Sequence, residues 1–407
     1  MANCKNCDRG LPAFSVGESS DLCDDCRATL AIQAPQPEAR RIVRPSRRVT
    51  QAILGVNVMV FLAMAMSGAS PVQPSNAQLL QFGSNWGPLS LGSQPWRLLA
   101  SNYVHVGIVH IALNMWCLWD LGGLAELIFG STAYFVIYLL CGLGGSIASL
   151  WWHPLVVGAG ASGAIFGLAG PLITAIYLGH LPFPKAALKG TLRSLFMFAG
   201  YNLFFGAVVA HVDNSAHIGG LVSGLVIGAL LAKNLHESPE ARRRWARAVL
   251  AGVALVLLAS FVLVRRVNGH VVLIGQALHS IESGQLDAGI RNLEQAAVEK
   301  PNDATSFILL GSAYLDKHDF PKAESALQKA VTLNPNNFSA QFNLGLTQMQ
   351  LEKAGAAVAS FQSAVRLEPK SADAEQALAE AFKAEGRNNE ADVEFRKAEE
   401  LRKGGGR

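Results

Sequence analysis

The sequence predicts an all-α polytopic membrane protein with a soluble helical domain after the membrane region and a small cysteine-rich module before it. Half of the 407 residues are hydrophobic and only 16% are charged, which is too apolar for an average soluble protein. The apolar residues are concentrated between Val49 and Val264, and the residues that follow are rich in Glu, Lys, Gln, Asn and Ala. We therefore divide the chain into regions 1–30, 31–48, 49–235, 236–267 and 268–403.

The first region contains two matched cysteine pairs. Cys4-x2-Cys7 and Cys23-x2-Cys26 are separated by fifteen residues, the spacing of a four-thiolate structural zinc site. We predict a zinc-ribbon-like module over 1–30, of the kind that commonly serves protein contacts. A polar stretch precedes the first apolar run, so we expect no secretory signal and a cytoplasmic N-terminus. The Pro- and Arg-rich segment 31–48 is predicted to be a linker that ends at the anionic inner leaflet.

Seven apolar segments are long enough, or nearly so, to cross a hydrocarbon core that needs about 20 helical residues. They are predicted near 50–67, 108–128, 132–152, 160–179, 192–210, 215–232 and 247–264. The first six form a core of six transmembrane helices over 49–235. The seventh lies in 236–267 and connects this core to the C-terminal region.

Lysine and arginine residues predict the orientation, because short cytoplasmic loops carry the excess of positive charge. Basic clusters precede span 1, separate spans 4 and 5, and follow span 6, whereas the opposite loops contain only Arg97. We therefore expect a multi-pass protein of the cell (inner) membrane with its C-terminal region outside. Arg265 and Arg266, which follow span 7, would then lie on the outer side, where this rule predicts few basic residues.

The orientation brings the starts of spans 2, 4 and 6 to the same outer level of the membrane. These starts carry the residues suited to chemistry, which are His105, His110, Asn114, Gly160, Ser162, Gly163 and His217. A serine hydroxyl is a weak nucleophile that needs an adjacent base, for which a neutral imidazole is the usual choice. Ser162 and His217 meet this requirement.

Small residues at fourfold spacing predict how the two helices meet. Gly163 and Gly167 in span 4, and Gly220, Gly224 and Gly228 in span 6, allow close backbone approach within lipid. Because His217 projects from the same face as Gly220, this packing brings the imidazole to the hydroxyl.

Attack of a serine hydroxyl on a carbonyl group also needs hydrogen-bond donors for the negative charge that develops on the carbonyl oxygen. His110 and Asn114 lie on one helical face and can act with the backbone N–H of Ser162, near a helix N-terminus that favours negative charge. No acidic residue shares the His217 face of span 6, and Asp213 lies one turn upstream. We therefore favour a Ser–His dyad and retain Asp213 as an alternative orienting group.

Together these motifs resemble the rhomboid protease family, with a match from about Ile53 to Ala232. The residues that carry it are Trp96, Arg97, His105, His110, Asn114, Glu126, Gly160, Ser162, Gly163, His217, Gly220 and Gly224. The resemblance implies an intramembrane serine protease with Ser162 and His217 as the dyad, His110 and Asn114 as oxyanion donors, and no catalytic cofactor. It also implies structural roles for His105 and Glu126, an outer loop at Trp96-Arg97, and Phe166 packed beside the histidine.

Two other interpretations compete with this one. The three histidines of the site can be ligands of a catalytic metal, but the chain lacks His-Glu-x-x-His, and Asp120 and Glu126 lie deeper in span 2. The chain can also be a non-catalytic adaptor that binds transmembrane clients and soluble partners. Labelling of Ser162 by a fluorophosphonate separates the adaptor from the enzyme.

The C-terminal region 268–403 has an internal period of 34 residues. Pro301, Pro335 and Pro369 keep this interval, as do four alanines from Ala296 to Ala398. The pattern resembles tetratricopeptide repeats, an α-solenoid whose concave surface binds peptides or proteins. With a net charge of −4 in 268–407 and no strongly basic segment, nucleic acid is not an expected partner. The expected partners are transmembrane protein substrates, peptides or proteins on the repeats, and the bilayer.

Overall fold

The computed structural model describes residues 3–9, 22–23, 25–26, 47–179, 181, 184–208, 212–235 and 237–404. Most of the predicted basic linker, 31–48, therefore lies outside the described residues. The chain forms two compact units, Met1–Pro45 and Ser46–Arg407. The larger unit contains the membrane helices and the repeat helices.

Seven long helices occupy the seven predicted membrane regions. They are α1 Arg48–Met66, α5 Ile108–Phe129, α6 Ser131–Trp152, α7 Ser162–Leu178, α8 Lys185–Val208, α9 Asn214–Ala232 and α10 Pro239–Val267. Within the described part of the chain, α1, α5, α6, α9 and α10 are long and apolar enough to cross a membrane. The remaining predicted spans correspond to α7 and α8.

Helices α7 and α8 differ from the other five for separate reasons. Helix α7 has 17 residues, which rise about 26 Å, slightly less than the ~30 Å hydrocarbon core. It begins two residues later than predicted because Gly160 has φ +133°, a conformation incompatible with a helix. Helix α8 begins earlier than predicted and includes basic residues at its start, Lys185 and Lys189.

Short helices fill the loop between α1 and α5. They are α2 Asn76–Gln81, α3 Gly87–Ser90, α4 Arg97–Ala100 and a 3₁₀ turn at Ser101–Tyr103. Arg97 is buried and its Nη1 donates hydrogen bonds to the carbonyl oxygens of Leu80, at 2.7 Å, and Ser84, at 3.2 Å. Its guanidinium lies 4.9 Å from the Trp96 ring centroid. The Trp96-Arg97 pair therefore fastens this loop, because a buried guanidinium needs several acceptors.

The C-terminal region is a solenoid of paired helices. They are α11 Gly269–Glu282, α12 Leu286–Glu299, α13 Ala304–Asp316, α14 Phe320–Leu333, α15 Phe338–Gln350, α16 Ala354–Leu367, α17 Ala372–Ala384 and α18 Asn388–Gly404. The 34-residue period has a direct structural cause. Asp303, Asn337 and Ser371 are side-chain N-caps at that interval, each directly before the first helix of a pair.

Candidate active site

Ser162 and His217 form the centre of the candidate site. The Ser162 hydroxyl, on the first residue of α7, lies 2.9 Å from Nε2 of His217 in α9. His217 is buried and Ser162 is half-buried. The structure thus brings together the two side chains that the sequence assigns as nucleophile and base, at the separation that proton transfer requires.

Backbone contact between α7 and α9 fixes this separation. A Cβ atom at Gly220 would lie 1.9 Å from the carbonyl oxygen of Gly163, and one at Gly224 would lie 1.9 Å from that of Gly167. Such distances leave no room for any side chain at Gly220 or Gly224. Since Gly220 follows His217 by one helical turn, the contact that joins the helices also sets the position of the imidazole.

The His217 ring is held by stacking rather than by a carboxylate. Phe166 lies parallel to it, with ring centroids 4.2 Å apart and an interplanar angle of 4°. Among the described residues, His217 Nδ1 has no hydrogen-bond partner. Asp213 instead caps α9, where its Oδ1 accepts a hydrogen bond from the Ala216 N–H at 3.0 Å. The geometry therefore resembles a dyad in which an aromatic ring orients the base.

His110 approaches the nucleophile from α5. A Cβ atom at Gly160 would lie 3.0 Å from His110 Nε2 and 3.7 Å from the Ser162 hydroxyl, so the imidazole and the hydroxyl flank the same glycine. The Val106 N–H donates to His110 Nδ1 at 3.3 Å. A neutral His110 therefore carries its proton on Nε2, facing the site, and can donate a hydrogen bond there. Because the Val106 N–H belongs to the backbone, its hydrogen bond with His110 could not be predicted from a side-chain motif.

Asn114 and His105 have different surroundings. Asn114 is buried and its Nδ2 donates to the His110 carbonyl oxygen at 2.9 Å, which leaves the second N–H of the amide available. His105 is fully buried, its Nε2 accepts from the Ala161 N–H at 3.5 Å, and its Nδ1 lies 3.3 Å from the Tyr103 carbonyl oxygen. His105 thus supports the backbone directly before Ser162.

Glu126 lies at the far end of α5 and caps α1. Its carboxylate accepts hydrogen bonds from the N–H groups of Val49, at 3.2 Å, and Thr50, at 3.1 Å, and from the Thr50 hydroxyl at 2.9 Å. A carboxylate at a helix N-terminus satisfies donors that have no partner within the helix. These contacts are those of a structural residue.

An apolar cavity of about 350 Å³ lies between α5 and α8. Its lining includes Trp116 and Leu121 from α5 and Leu195 and Phe198 from α8. The Phe198 ring contacts Phe166 at a centroid distance of 5.1 Å, and Phe166 in turn stacks on His217. The cavity wall is therefore one aromatic ring away from the base.

The four N-terminal cysteines form a cluster in the smaller unit. The sulfur atoms of Cys4, Cys7, Cys23 and Cys26 all lie within 4.8 Å of one another. Tetrahedral zinc thiolates, with Zn–S bonds of about 2.3 Å, need sulfur separations of about 3.8 Å, so the cluster can hold a metal. The Cys23 N–H donates to the Cys4 sulfur at 3.2 Å and is the largest of several contacts that lower the pKa of that thiol to about 6, whereas the pKa of Cys7 is raised to about 12 by its neighbouring thiols. A low thiol pKa favours the thiolate that binds metal.

Comparison with known proteins assigns the two main helical regions of the chain to families. The Rhomboid domain family matches residues 92–234, which contain the whole candidate site. Residues 92–234 are a rhomboid domain. The Tetratricopeptide repeat family matches residues 274–337 and 308–372, which identifies the solenoid. A MamA structure is 28% identical over 33% of this chain and 77% of its own, with a TM-score of 0.31.

Rhomboid proteases are among the relatives. The rhomboid protease GluP of Bacillus subtilis (strain 168) is 30% identical over 72% of this chain and 56% of its own length. RHOMBOID-like protein 6, mitochondrial, of Arabidopsis thaliana is 36% identical over 39% of this chain and 51% of its own. The rhomboid protease AarA of Providencia stuartii is 28% identical over 44% of this chain and 70% of its own. The chain spans about half the length of the first two.

Proposed function

We propose that this rhomboid domain is an intramembrane serine endopeptidase that cleaves transmembrane segments of membrane proteins by a Ser162–His217 dyad. The observation that carries the proposal is the 2.9 Å contact between the Ser162 hydroxyl and His217 Nε2. Burial of a histidine within a membrane helix costs free energy, so a histidine at such a position is usually kept for a function. The conjunction with His110 beside the same hydroxyl favours catalysis over a packing role.

The reaction follows from the roles of these groups. His217 accepts the Ser162 proton as the hydroxyl attacks the scissile carbonyl carbon, and a tetrahedral oxyanion forms. His217 then gives that proton to the departing amine, which leaves an acyl group on Ser162. Water, deprotonated by His217, releases the acyl group and restores the hydroxyl.

Donors for the oxyanion come from two helices. His110 Nε2–H and the second Asn114 N–H can point at the developing charge from α5, and the Ser162 N–H from the first turn of α7. Donors held in place before the reaction stabilise the transition state most in a site that excludes water. The tautomer imposed by the Val106 N–H gives His110 this role without a change of protonation.

The cavity between α5 and α8 is the entry that we propose for the substrate helix. Its wall is mostly apolar, although Asp120, Thr191 and Ser194 also line it. Leu195 and Ala199 are the buried residues among the described side chains of α8. Loose packing of α8 allows an apolar segment to enter beside the aromatic pair Phe166 and Phe198 at low cost.

The flanking domains are proposed to recruit and position partners. The basic residues favour a cytoplasmic N-terminus, with the repeats on the outer side of the cell (inner) membrane. Packing of α11 against α3, in the loop before α5, supports the placement of the repeats on the side of Ser162. Cys4, Cys7, Cys23 and Cys26 would hold a structural zinc ion, which supplies folding energy to the module rather than chemistry to the site.

Fluorophosphonate labelling of the purified full-length protein tests the proposal, together with cleavage of a transmembrane reporter. Both signals should appear in the wild type and be lost in Ser162→Ala and His217→Ala. Ser223→Ala is the matched control, because the Ser223 hydroxyl, also on α9, donates to the Gly219 carbonyl oxygen at 2.8 Å rather than to the dyad. Cleavage retained in Ser162→Ala would refute the mechanism, and a wild type that does not label would favour the adaptor.

A further inference from the structure

The first helix of the repeat domain, α11, packs against the membrane core. A Cβ atom at Gly275 would lie 1.9 Å from the carbonyl oxygen of Pro88 in α3, and a Cβ at Gly87 would lie 2.8 Å from a methyl carbon of Val271. Val271 is fully buried and belongs to the hydrophobic core of the membrane helices. Backbone contact this close means that α11 and α3 are complementary surfaces.

The repeat period shows that this face of α11 is specialised. Residues at the 34-residue interval occupy equivalent positions of successive repeats, and Val271 corresponds to Thr305 and Ser339. Val271 is buried, whereas Thr305 is half-buried and Ser339 is exposed. The apolar residue thus occurs in the repeat that contacts α3, and polar residues occur where that contact is missing.

Gly275 also differs from the residues at the equivalent positions of the later repeats. Gly275 corresponds to Leu309 and Asn343 in the next two repeats, both of which carry side chains and are half-buried. Either side chain at position 275 would overlap the Pro88 carbonyl group. The first repeat therefore departs from the later ones where the membrane core requires it.

Helix α3 is in turn bonded to the segment that precedes the nucleophile. The Gly87 N–H donates to the Pro154 carbonyl oxygen at 2.7 Å, and Asn85 and Gly158 exchange two backbone hydrogen bonds of 2.8 Å. The side chain of Leu155 packs in both the membrane core and the core of the first repeats. Residues 153–158 are thus held between α3 and the repeat domain.

This segment leads directly to Ser162. Gly158 lies four residues before it, and the Gly160 N–H donates to the Ser101 carbonyl oxygen at 2.9 Å. Asn268 alone joins α10 to α11, so the repeat helix has little freedom to move away from its docking surface. A continuous path of contacts connects the first repeat to the backbone that presents the nucleophile.

We propose that the first repeat is a positioning element of the active site. Helix α11, through Val271 and Gly275, clamps α3 and thereby fixes the 153–161 segment in the geometry that aligns the Ser162 hydroxyl and N–H. This role rests on the proposed function. It adds that the active site requires the first repeat for its geometry even when no partner is bound to the repeats. Loss of the clamp should therefore lower reactivity toward a small probe that cannot touch the repeat surface.

Gly275→Leu in the full-length protein tests the clamp. The control is Gly355→Leu in α16, because Gly355 is exposed and, within the part of the chain that the structure describes, a Cβ there would meet only the flexible Glu385 carboxylate, at 3.1 Å. Amide hydrogen exchange of 153–161 reports the segment, and the rate of fluorophosphonate labelling reports Ser162. In Gly275→Leu we expect faster exchange and labelling slowed about tenfold or more, since misplacement by about 1 Å can cost 10²-fold. Gly355→Leu should match the wild type in both.

The milder Val271→Ser, which places the residue of position 339 in the first repeat, keeps the test decisive if Gly275→Leu does not fold. Exchange and labelling at wild-type rates in the folded variants would overturn the proposal. Normal labelling with impaired reporter cleavage would also overturn it and assign the repeats to substrate recruitment alone. If the wild type does not label, the proposed function fails, and hydrogen exchange still decides whether α11 holds the segment.

Discussion

Substitution of Gly220 by alanine isolates the contribution of the contact between α7 and α9. The added Cβ would lie 1.9 Å from the Gly163 carbonyl oxygen, whereas ordinary contact begins at 3.4 Å, so the helices must separate by about 1.5 Å. Since His217 is one turn away on the same face, its distance from the Ser162 hydroxyl should grow from 2.9 Å to about 4.4 Å. That distance is too long for a hydrogen bond.

The rate should fall accordingly. A displacement of this size predicts a loss of about 10²-fold in kcat, or about 2.7 kcal/mol of transition-state stabilisation. The substitution should stabilise helix α9 itself, because alanine is favoured over glycine in a helix by about 1 kcal/mol. A loss of activity therefore cannot come from weakened helix formation.

The assay compares Gly220→Ala with two other glycine-to-alanine variants by labelling rate and reporter cleavage, with thermal unfolding as the check of folding. Gly252→Ala in α10 should match the wild type, because no atom of the described residues lies within 4 Å of the added carbon. Gly163→Ala should lose less than Gly220→Ala, since its Cβ would meet Ala216 at 3.4 Å. Wild-type labelling in Gly220→Ala, or an equal loss in Gly163→Ala, would refute the reasoning.

Three further predictions concern other parts of the chain. His110→Ala should lower kcat for reporter cleavage by about 10²–10³-fold with little change in KM, as expected for a donor used in the transition state. The purified protein should bind one zinc ion, measured by elemental analysis; Cys23→Ser should release it and Cys117→Ser, outside the cluster, should not. Burial and the neighbouring Glu394 carboxyl group raise the pKa of Glu375, so its contribution to stability is present in acid and is lost as the pH rises through that raised pKa. Glu375→Gln should therefore raise Tm at neutral pH by roughly 2 °C, with no gain in acid, whereas Glu380→Gln at an exposed position should leave Tm unchanged.

The fold class was accessible from the sequence because each part has a strong one-dimensional signal. Long apolar segments predict the membrane helices, and among the described residues five of the seven predicted spans are helices long and apolar enough to cross a membrane. The 34-residue interval predicts the repeats, which the family match confirms. The boundaries of α7 and α8 were less accessible. The start of α7 depends on the φ of Gly160, and the basic residues that begin α8 look like loop residues in a hydropathy pattern.

The sequence predicts the residue types of the candidate site but not the orientation of their side chains. The residues that meet at Ser162 are recognisable as types, since histidine in particular is rare within membrane spans. Their orientation depends on backbone groups that every residue possesses, such as the Val106 N–H on His110 and the Ala161 N–H on His105. Gly275 and α3 are far apart in sequence, and neither contains a residue type that would predict their contact.

Among the described residues, no carboxylate is hydrogen-bonded to His217, and helix packing therefore has a larger part in orienting the ring. In a triad an acidic residue fixes the tautomer and the direction of the imidazole, but here Asp213 caps α9 and, among the described residues, Nδ1 has no partner. The direction of the ring must then come from its stacking on Phe166 and from the rigid contact at Gly220. Phe166→Leu should therefore reduce labelling of Ser162 although the side chain takes no part in proton transfer. A Phe166→Tyr variant, which keeps the ring, should lose less, and equal rates in the two variants would show that stacking does not orient the base.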